Sequence, residues 1–336
     1  MAFYCGIDLH SDNHVVVIID DEDKKVYERR LSNDLSLTLG ALAPYRSDLV
    51  GVAVESTFNW YWLVDGLQAE GYPMQLVNTT AVQQYSGLKY TDDRYDAFWL
   101  AHLMRLKILP TGYIYPKEQR GLRDLLRRRT MLVQTASKQL ISLQSQIWRQ
   151  TGVKIPSSKL KQARFSVDLP GEMEKRAAQA SLRVYRSIQA ELEQMESELI
   201  KAVKPREDYQ VLTSIPGVGP ILGMTIALET GNIQRFAEVG DYASYCRCVK
   251  SERVSNAKKK GEGNAKSGNK YLSWAFSEAA HFAVRYEPLA KRFFERKQRK
   301  TNGIVAIRAV AHKLARAAYY MMRNNTTFDA QKLFAN

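Results

Sequence analysis

Cysteine is too scarce in this chain to build a disulfide framework. The 336 residues contain three cysteines, Cys5, Cys246 and Cys248, and no second pair completes a zinc site. We expect three reduced thiols. The chain also lacks an apolar run of membrane-spanning length, and its first residues lack the basic-then-apolar layout of a signal peptide. These absences predict a cytoplasmic protein with no membrane partner.

Charge is divided unevenly along the chain. Residues 1–100 hold 7 Lys/Arg against 15 Asp/Glu, a net charge of −8, whereas residues 101–336 hold 42 against 20, a net charge of +22. A basic region of this size indicates a polyanionic partner, most simply nucleic acid. The attached acidic region would repel phosphates unless bound cations reversed its sign, so the split also suggests a metal site.

Strand-like and helix-like segments alternate in the acidic region. Three short β-branched runs come first and predict antiparallel strands, and two further strands then alternate with helices. The predicted strands are Tyr4–Leu9, His14–Ile19, Val26–Leu31, Leu49–Val54 and Met74–Val77. This order is expected of a ribonuclease-H-like α/β fold, which we assign to residues 1–112.

Four carboxylates are placed to meet at one edge of this predicted sheet. Asp8 ends the first strand and Glu55 ends the fourth. Asp93 and Asp96 lie one turn apart at the start of a helix, so both project from one face. Helix capping by Asp92 and Asp93 would explain those acids taken alone. Together with the strand-end acids, they predict a site for two Mg²⁺ ions acting on a phosphodiester.

Residues 113–205 predict a basic helical hairpin. Apolar residues recur every seven positions in its first helix, and a second stripe runs from Tyr185 to Leu199. A hairpin packed on its own chain and a dimerising coiled coil explain these stripes equally well. The first stripe consists of Leu126, Val133, Leu140 and Ile147. The candidate nucleic-acid ligands beside it are Arg127, Arg128, Arg129 and Lys138.

Residues 206–326 predict a mostly helical C-terminal domain, followed by a tail at 327–336. Gly217 and Gly219 lie in a Pro-Gly-Val-Gly-Pro segment that predicts a helix-hairpin-helix-like turn. Such a turn can offer backbone N–H groups to a DNA phosphate, although a plain helix–helix connection explains the same glycines.

A polar, basic loop follows between Cys248 and Leu272. Ser255 lies three residues before Lys258, where its hydroxyl would sit beside bound phosphates. Taken alone, such a serine is usually a solvated or phosphate-contacting group, and no histidine lies near enough in sequence to serve as its base. The candidate nucleic-acid ligands of this region are Lys258, Lys259, Lys260, Lys266 and Lys270.

Several short motifs, taken in order, resemble those of the insertion-sequence transposases that have an N-terminal DEDD domain and a C-terminal serine. The Piv DNA invertase is similar. The resemblance extends from Tyr4 to about Asn324. The motifs are Gly6-Ile-Asp8, Val54-Glu-Ser-Thr57, Leu76-Val-Asn78, Thr91-Asp-Asp-Arg-Tyr-Asp-Ala97, Leu100-Ala101, Ile215-Pro-Gly-Val-Gly-Pro220, Arg235-Phe236 and Gly268-Asn-Lys-Tyr-Leu272.

This resemblance implies a DNA transposase and recombinase of a prokaryotic, nucleoid-associated kind. Asp8, Glu55, Asp93 and Asp96 would bind magnesium in a RuvC-like domain, and Ser255 would attack the scissile phosphate and become linked to DNA. The implied partners are double-stranded donor and target DNA, a structured bridge RNA that specifies both, and further copies of the chain in a dimer or tetramer.

Two departures from the family pattern keep alternatives open. Asp92-Asp93 is doubled, so the third acid is assigned by its Asp-x-x-Asp-Ala spacing; Asn256 stands where the family commonly has glycine, which leaves Ser251 an alternative to Ser255. A metal-only nuclease or Holliday-junction resolvase is the second interpretation, and a non-catalytic nucleic-acid scaffold is the third. The four acids argue against a scaffold, and the serine loop argues against a metal-only enzyme.

Overall fold

A computed structural model describes residues 1–82, 92–249, 253–261 and 267–335, without the side chains of Arg253, Val254 and Lys259. The chain divides into two units, Met1–Lys117 and Glu118–Asn336. Within the described ranges, no helix combines the length and hydrophobicity that a bilayer span needs. The finer division into three domains and a tail stays a prediction.

The first unit is built on a mixed five-stranded sheet. Its strand order is β3-β2-β1-β4-β5, with β1 antiparallel to β2, β2 antiparallel to β3, and β4 parallel to both β1 and β5. The strands are β1 Phe3–Leu9, β2 Asn13–Ile19, β3 Lys25–Ser32, β4 Leu49–Glu55 and β5 Met74–Val77; the helices are α1 Leu35–Leu42, α2 Tyr61–Ala69, α3 Thr79–Val82 and α4 Asp93–Arg105. The predicted α/β unit with a mixed sheet is confirmed, and its strand order is consistent with a ribonuclease-H-like domain.

The strands β1, β2 and β4 are largely buried, with side chains that alternate between the two faces of the sheet. Val16 and Ile18 of β2 contribute to the cluster under α1 and α2. Val15 and Val17 point the other way and join a cluster with Ala97 of α4. Burial on both faces explains why β2 reads as a continuous apolar run rather than as an alternating one.

Small residues set how closely α4 approaches β1. A Cβ atom added to Gly6 would lie 1.9 Å from the carbonyl oxygen of Ala97 and 2.9 Å from the backbone nitrogen of Ala101. Only glycine fits there. Asp92 caps the helix by accepting a 2.8 Å hydrogen bond from the Tyr95 amide. This close packing holds the first turn of α4, with its two acids, beside the end of β1.

The second unit is mostly helical. Its helices are α5 Lys117–Thr151, α6 Ser157–Leu160, α7 Glu172–Val203, α8 Glu207–Leu212, α9 Pro220–Thr230, α10 Val239–Tyr245, α11 Lys270–Tyr286, α12 Pro288–Lys300, α13 Gly303–Asn324 and α14 Ala330–Phe334, with a hairpin of β6 Arg253–Ser255 and β7 Lys258–Gly261. The large buried cluster of this unit draws on α9, α11 and α13 around Phe276 and Tyr319. The predicted helical C-terminal region is therefore confirmed.

The long helices α5 and α7 share a buried cluster of their own. Leu140, Leu143 and Ile147 of α5 belong to it together with Leu182 and Tyr185 of α7. Three members of the α5 heptad stripe, Leu126, Leu140 and Ile147, are thus buried within the chain, as one of the two sequence-based alternatives expected. Assembly into an oligomer stays a prediction.

The segment predicted as a basic loop contains a short β-hairpin. Ser255 pairs with Lys258 across a two-residue turn, in which Asn256 and Ala257 have φ angles of 51° and 57°. Left-handed φ at both central residues is the turn geometry whose twist matches paired strands. The sequence prediction failed because alanine is rare in that conformation, so Asn-Ala gives no turn signal of the Asn-Gly kind.

Candidate metal centre and nucleic-acid interface

A cluster of polar side chains lies where β1 ends and α4 begins. Asp8, His10 and Asp93 each bring a ligand atom to within 4.8 Å of the others. Nε2 of His10 lies 3.1 Å from Oδ2 of Asp8 and 3.3 Å from Oδ2 of Asp93. Two of the four predicted acids are therefore together, and a histidine that the sequence prediction did not include stands between them.

His10 is held in place through its backbone. Its carbonyl oxygen accepts hydrogen bonds from Nδ2 of Asn59 at 2.8 Å and of Asn33 at 3.1 Å. Its Nε2 is buried and makes no hydrogen bond of acceptable geometry to any described residue. This buried nitrogen faces two carboxylates but makes no well-aligned hydrogen bond to either of them. Such an arrangement is suited to the binding of a cation by the nitrogen and the carboxylates together. The signal that was overlooked is the Asp-x-His spacing at a strand end, because residues i and i+2 share one face.

Glu55 and Asp96 belong to the same group of acids, because both raise the pKa of Asp8. Asp8 is 3% exposed. Burial, hydrogen bonding with Glu55 and the charges of Glu55 and Asp96 raise the pKa of Asp8 to about 7, against an opposing effect of His10. Burial also raises the pKa of Asp96, and the charges of Glu55 and Asp93 act in the same direction. All four predicted acids therefore interact electrostatically at one edge of the sheet.

Asp93 differs from the other acids because it has a cationic partner. Arg30 of β3 donates to Oδ2 of Asp93 at 2.5 Å. This hydrogen bond is the main reason that the pKa of Asp93 is lowered. Arg30 also donates to Oδ1 of Asn13 at 2.6 Å, which fixes the guanidinium. The arginine thus keeps one carboxylate ionised and oriented while its neighbours repel each other.

The donor set fits a divalent metal. Carboxylates that crowd together in a partly buried site raise each other's pKa, and a doubly charged cation removes that repulsion. Oxygen ligands suit Mg²⁺, whereas an imidazole nitrogen such as that of His10 suits Mn²⁺ or another transition metal better. Asp8, Glu55, Asp93 and Asp96 are the residues that would hold the metal, and His10 is placed to join them.

The basic residues of α5 fall into two groups. Arg127 donates to both carboxylate oxygens of Glu229, at 2.6 and 2.7 Å, and Arg129 donates twice to Glu196, at 2.8 and 2.6 Å. Arg128 and Lys138 are exposed. Nucleic-acid binding by these four residues stays a prediction. Among the residues that the structure describes, no carboxylate pairs with Arg128 or Lys138.

The Arg127–Glu229 pair is the centre of a buried network. Glu229 is 3% exposed, and it also accepts a 2.7 Å hydrogen bond from Nδ2 of Asn269. Oδ1 of Asn269 in turn accepts from the amides of Tyr271 and Leu272, which caps α11. Burial alone would lower the pKa of Arg127, but its hydrogen bonds to Glu229 raise it. The Asn269 of the Gly-Asn-Lys motif therefore has a structural role.

The two glycines of the predicted phosphate-binding turn have different surroundings. Gly217 has φ of 87°, and an added Cβ would lie 2.3 Å from Cβ of Phe282, so close packing on α11 requires glycine. An added Cβ at Gly219, which caps α9, would meet open space. The helix–helix connection thus explains Gly217 but not Gly219. Phosphate binding by this turn stays a prediction.

The serine hairpin presents its polar side chains to solvent. Ser255, Lys258 and Lys260 are exposed, as is Lys270 at the start of α11. Ser255 and Lys258 lie directly opposite each other in the ladder, so their side chains share a face. The alternative nucleophile Ser251 and the predicted ligand Lys266 lie outside the described residues, as does the side chain of Lys259.

Comparison with known families assigns both units. A model for the DEDD domain of IS110-type elements, described as Transposase, matches residues 5–149, and one described as Transposase IS116/IS110/IS902 family matches residues 209–295. The chain belongs to the IS110 family of transposases. As an IS110-family transposase it is an enzyme that cleaves and rejoins DNA, which confirms the enzyme class and the resemblance at family level.

The chain is also similar to two proteins of insertion-sequence elements. The transposase for insertion sequence element IS1111A of Coxiella burnetii is 24% identical over 297 residues, which are 84% of this chain and 78% of the relative. A 43.6 kDa protein of insertion element IS110 from Streptomyces coelicolor is 24% identical over 123 residues, which are 36% of this chain and 30% of the relative. The DEDD model supports use of a divalent metal.

Proposed function

We propose that this IS110-family transposase is a recombinase with a ribonuclease-H-like DEDD domain, in which Asp8, Glu55, Asp93 and Asp96 hold two Mg²⁺ ions. The observation that carries the proposal is the cluster at the end of β1, where an almost fully buried Asp8 is surrounded by Glu55, Asp96 and His10. When bound, the ions would polarise a DNA phosphate and stabilise its attacking and leaving oxygens.

The residues around the acids have positioning roles in this proposal. Arg30 orients Asp93 and keeps it ionised through their 2.5 Å hydrogen bond. Asn59, four residues after Glu55, donates to the carbonyl of His10 and so ties the end of β4 to the end of β1. Asp92 is the helix cap, with its side chain bonded to the Tyr95 amide, which favours Asp93 over Asp92 as the third acid.

We further propose that Ser255 is the nucleophile. The turn geometry supports it, because Asn256 has φ of 51° and asparagine is the residue that best replaces glycine at left-handed φ. The departure from the family's usual glycine is therefore conservative in conformation, which favours Ser255 over Ser251. The ammonium of Lys258, on the same face of the hairpin, would stabilise the developing serine alkoxide.

The serine step would conserve the phosphodiester. Oγ of Ser255 would form a bond to phosphorus as one P–O bond of DNA breaks, and the serine proton would pass to the leaving oxygen, which becomes the hydroxyl of the released strand. Attack by the hydroxyl of another strand would reverse the step and free the serine. Strands are then rejoined without a nucleotide cofactor, which suits exchange better than hydrolysis does.

We propose a structured bridge RNA and a homo-oligomer as the partners of this recombinase, beside donor and target DNA. The net charge of +22 over residues 101–336 supports more than one polyanionic partner. The test for the RNA is reconstitution with transcripts of the DNA that flanks the coding region. Recombination that requires such a transcript and is lost on ribonuclease treatment is expected; equal activity without RNA would contradict this part.

The covalent intermediate separates the serine proposal from a metal-only nuclease. Labelled DNA should migrate with denatured wild-type protein in the presence of Mg²⁺, and Ser255→Ala should abolish that species. Ser251→Ala is the matched control and should keep it. A species that persists in Ser255→Ala but vanishes in Ser251→Ala would move the nucleophile to Ser251. Cleavage by the wild type without any covalent species would favour the metal-only nuclease.

A further inference from the structure

A large basic cleft lies in the second unit, outside every site described above. It is formed by α12 and α13 and is bordered by α14, with a volume of about 1960 Å³. The residues of α12 that line it fall on one helical stripe, because their spacings alternate between three and one. That stripe consists of Leu289, Arg292, Phe293, Arg296, Lys297 and Lys300.

The cleft carries a strong excess of positive charge. From α13 come Lys313 and Arg316, beside His312, and α14 adds Lys332. The acidic side chains among the lining residues are Glu287 and Asp329, and both serve as helix caps: Glu287 accepts from the Leu289 amide and Asp329 from the Lys332 amide. Seven Lys/Arg therefore face two carboxylates that are already engaged.

Four of the seven cations in the cleft are not neutralised by ion pairs with described residues. Within the described chain, no carboxylate lies within ion-pairing distance of Arg292, Lys297, Lys300 or Arg316. Burial lowers the pKa of Lys313, and the charges of Arg296 and Arg316 act in the same direction. Like charges that lie close together raise the local positive potential, which favours the binding of an anion.

Aromatic rings are interleaved with these cations. The ammonium of Lys313 lies 5.0 Å from the ring centre of Phe293 and 5.8 Å from that of Phe334, and it donates to the Leu333 carbonyl at 2.6 Å. These contacts fix α14 along the cleft. Tyr320, one turn beyond Arg316 on α13, is 48% exposed, and its ring makes a T-shaped contact with that of Tyr319 at 5.2 Å between ring centres. Cationic side chains along a groove with an accessible ring are typical of single-strand binding.

We propose that the α12–α13 cleft binds an unpaired strand of the DNA on which the transposase acts. Its cations would contact successive phosphates, and Tyr320 would stack on a base. The concave shape favours a single strand, because duplex DNA is contacted mainly by elements that project into its grooves. The proposal uses the family activity on DNA and does not depend on the metal site or on Ser255.

Fluorescence anisotropy with oligonucleotides of about 16 nucleotides tests this site in the full-length protein. EDTA is included to remove divalent ions, so that the binding result does not depend on whether the proposed metal site exists. The cleft variant carries Arg292→Gln, Lys297→Gln, Lys300→Gln and Arg316→Gln. The control variant removes equal charge from exposed residues elsewhere in the second unit, through Lys159→Gln, Lys161→Gln, Arg164→Gln and Arg183→Gln. Circular dichroism verifies that both variants fold.

The cleft variant should bind single-stranded DNA at least about tenfold more weakly than the control variant does. Its slope of log affinity against log salt should fall by about 0.7 for each lost phosphate contact. Equal losses in the two variants would overturn the proposal, since they would report net charge alone. An equal loss for duplex DNA would assign the cleft to duplex binding, and a loss for single-stranded RNA alone would assign it to RNA; either outcome overturns the assignment.

Stacking by Tyr320 is tested separately in the same assay. Tyr320→Leu should weaken single-stranded DNA binding by about fivefold to a hundredfold, because base–aromatic stacking is lost. Tyr320→Phe keeps the ring and should bind as the wild type does. If the two substitutions weaken binding equally, or neither does, the stacking role is wrong.

Discussion

Asp8 in the first unit and Glu229 in the second are buried to the same extent, at 3% exposure, but their surroundings are opposite. Glu229 is paired with Arg127 and accepts a further hydrogen bond from Asn269. Asp8 is surrounded mainly by other acids, and its pKa rises to about 7. A buried carboxylate with complete partners is tolerated in a fold, and loss of a partner destabilises it, whereas one placed among acids costs stability unless a ligand compensates it.

The comparison separates two kinds of family motif. Asp8 belongs to Gly6-Ile-Asp8, and Asn269 belongs to Gly268-Asn-Lys-Tyr-Leu272, yet the first lies in an uncompensated cluster and the second in a satisfied network. Substitutions at the first should change activity and leave the fold intact. Substitutions at the second should lower the stability of the fold, and any loss of activity should follow from that.

The largest effect is expected on DNA cleavage. Glu55→Gln or Asp96→Asn removes a charge that the metals need, so Mg²⁺-dependent cleavage should fall by at least about a hundredfold. Salt-dependent DNA binding should persist, because the positive charge lies in residues 101–336. Cleavage and anisotropy assays on the same preparations measure both. Undiminished cleavage by both single variants would remove the metal site.

The next largest effect is expected on the stability of the fold around Glu229, the paired carboxylate. Glu229→Gln leaves Arg127 without its counter-charge, and the free energy of unfolding should fall by about 2–4 kcal/mol, toward the lower end because Arg127 is 34% exposed. Urea denaturation measures it. The double variant Arg127→Gln with Glu229→Gln should recover part of the loss. A loss of activity without any loss of stability would place Glu229 with the functional acids instead.

Asp8→Asn should have the opposite effect on stability. The pKa of Asp8 is raised from 3.8 to about 7 by folding, so the folded protein binds more protons than the unfolded chain between those values. Stability is therefore lost as pH rises through that window. Without metal and above pH about 7, Asp8→Asn should gain on the order of 2 kcal/mol over the wild type. Below pH about 4 the gain should disappear.

The smallest effect is expected on the stability of the serine hairpin, where backbone conformation rather than charge is changed. Ala257 has φ of 57° in the turn of the serine hairpin, where an L-residue with a Cβ is strained. Ala257→Gly should stabilise the hairpin by about 1 kcal/mol. Hydrogen exchange of the hairpin amides measures this local change. Asn256→Gly is the control and should change little, since asparagine tolerates this conformation; faster exchange in Ala257→Gly would contradict the strain.

The sequence predicts the scaffold of the first unit well for a physical reason. Strands buried on both faces are read as β-branched runs, and the small residues Gly6 and Ala97 lie where α4 meets β1. Asp8, Glu55, Asp93 and Asp96 follow from strand ends and helix spacing. The sequence prediction did not include His10, although the Asp-x-His spacing after Asp8 signals it. It did not include Arg30 because nothing in local spacing shows that this side chain of β3 turns toward the end of β1.

In the second unit the sequence predicts helices but not how their charges are used. Arg127, Arg128 and Arg129 are indistinguishable as a basic run, yet the first and third pair with Glu229 and Glu196, which are 102 and 67 residues away. Such pairs depend on tertiary packing, which periodicity does not encode. The same limit applies to the cleft, since the charges of α12 and α13 converge only when the two helices are packed together.

Thermal unfolding above pH about 7, with and without millimolar Mg²⁺, tests the central claim that the acids around Asp8 form a metal site. Without metal, the wild type should unfold at a lower temperature than Asp8→Asn. Mg²⁺ should raise the wild-type Tm, because a ligand that binds only the folded protein stabilises it, and should leave that of Asp8→Asn nearly unchanged. Equal Mg²⁺-induced shifts in the two proteins, or no shift in either, would contradict the metal site.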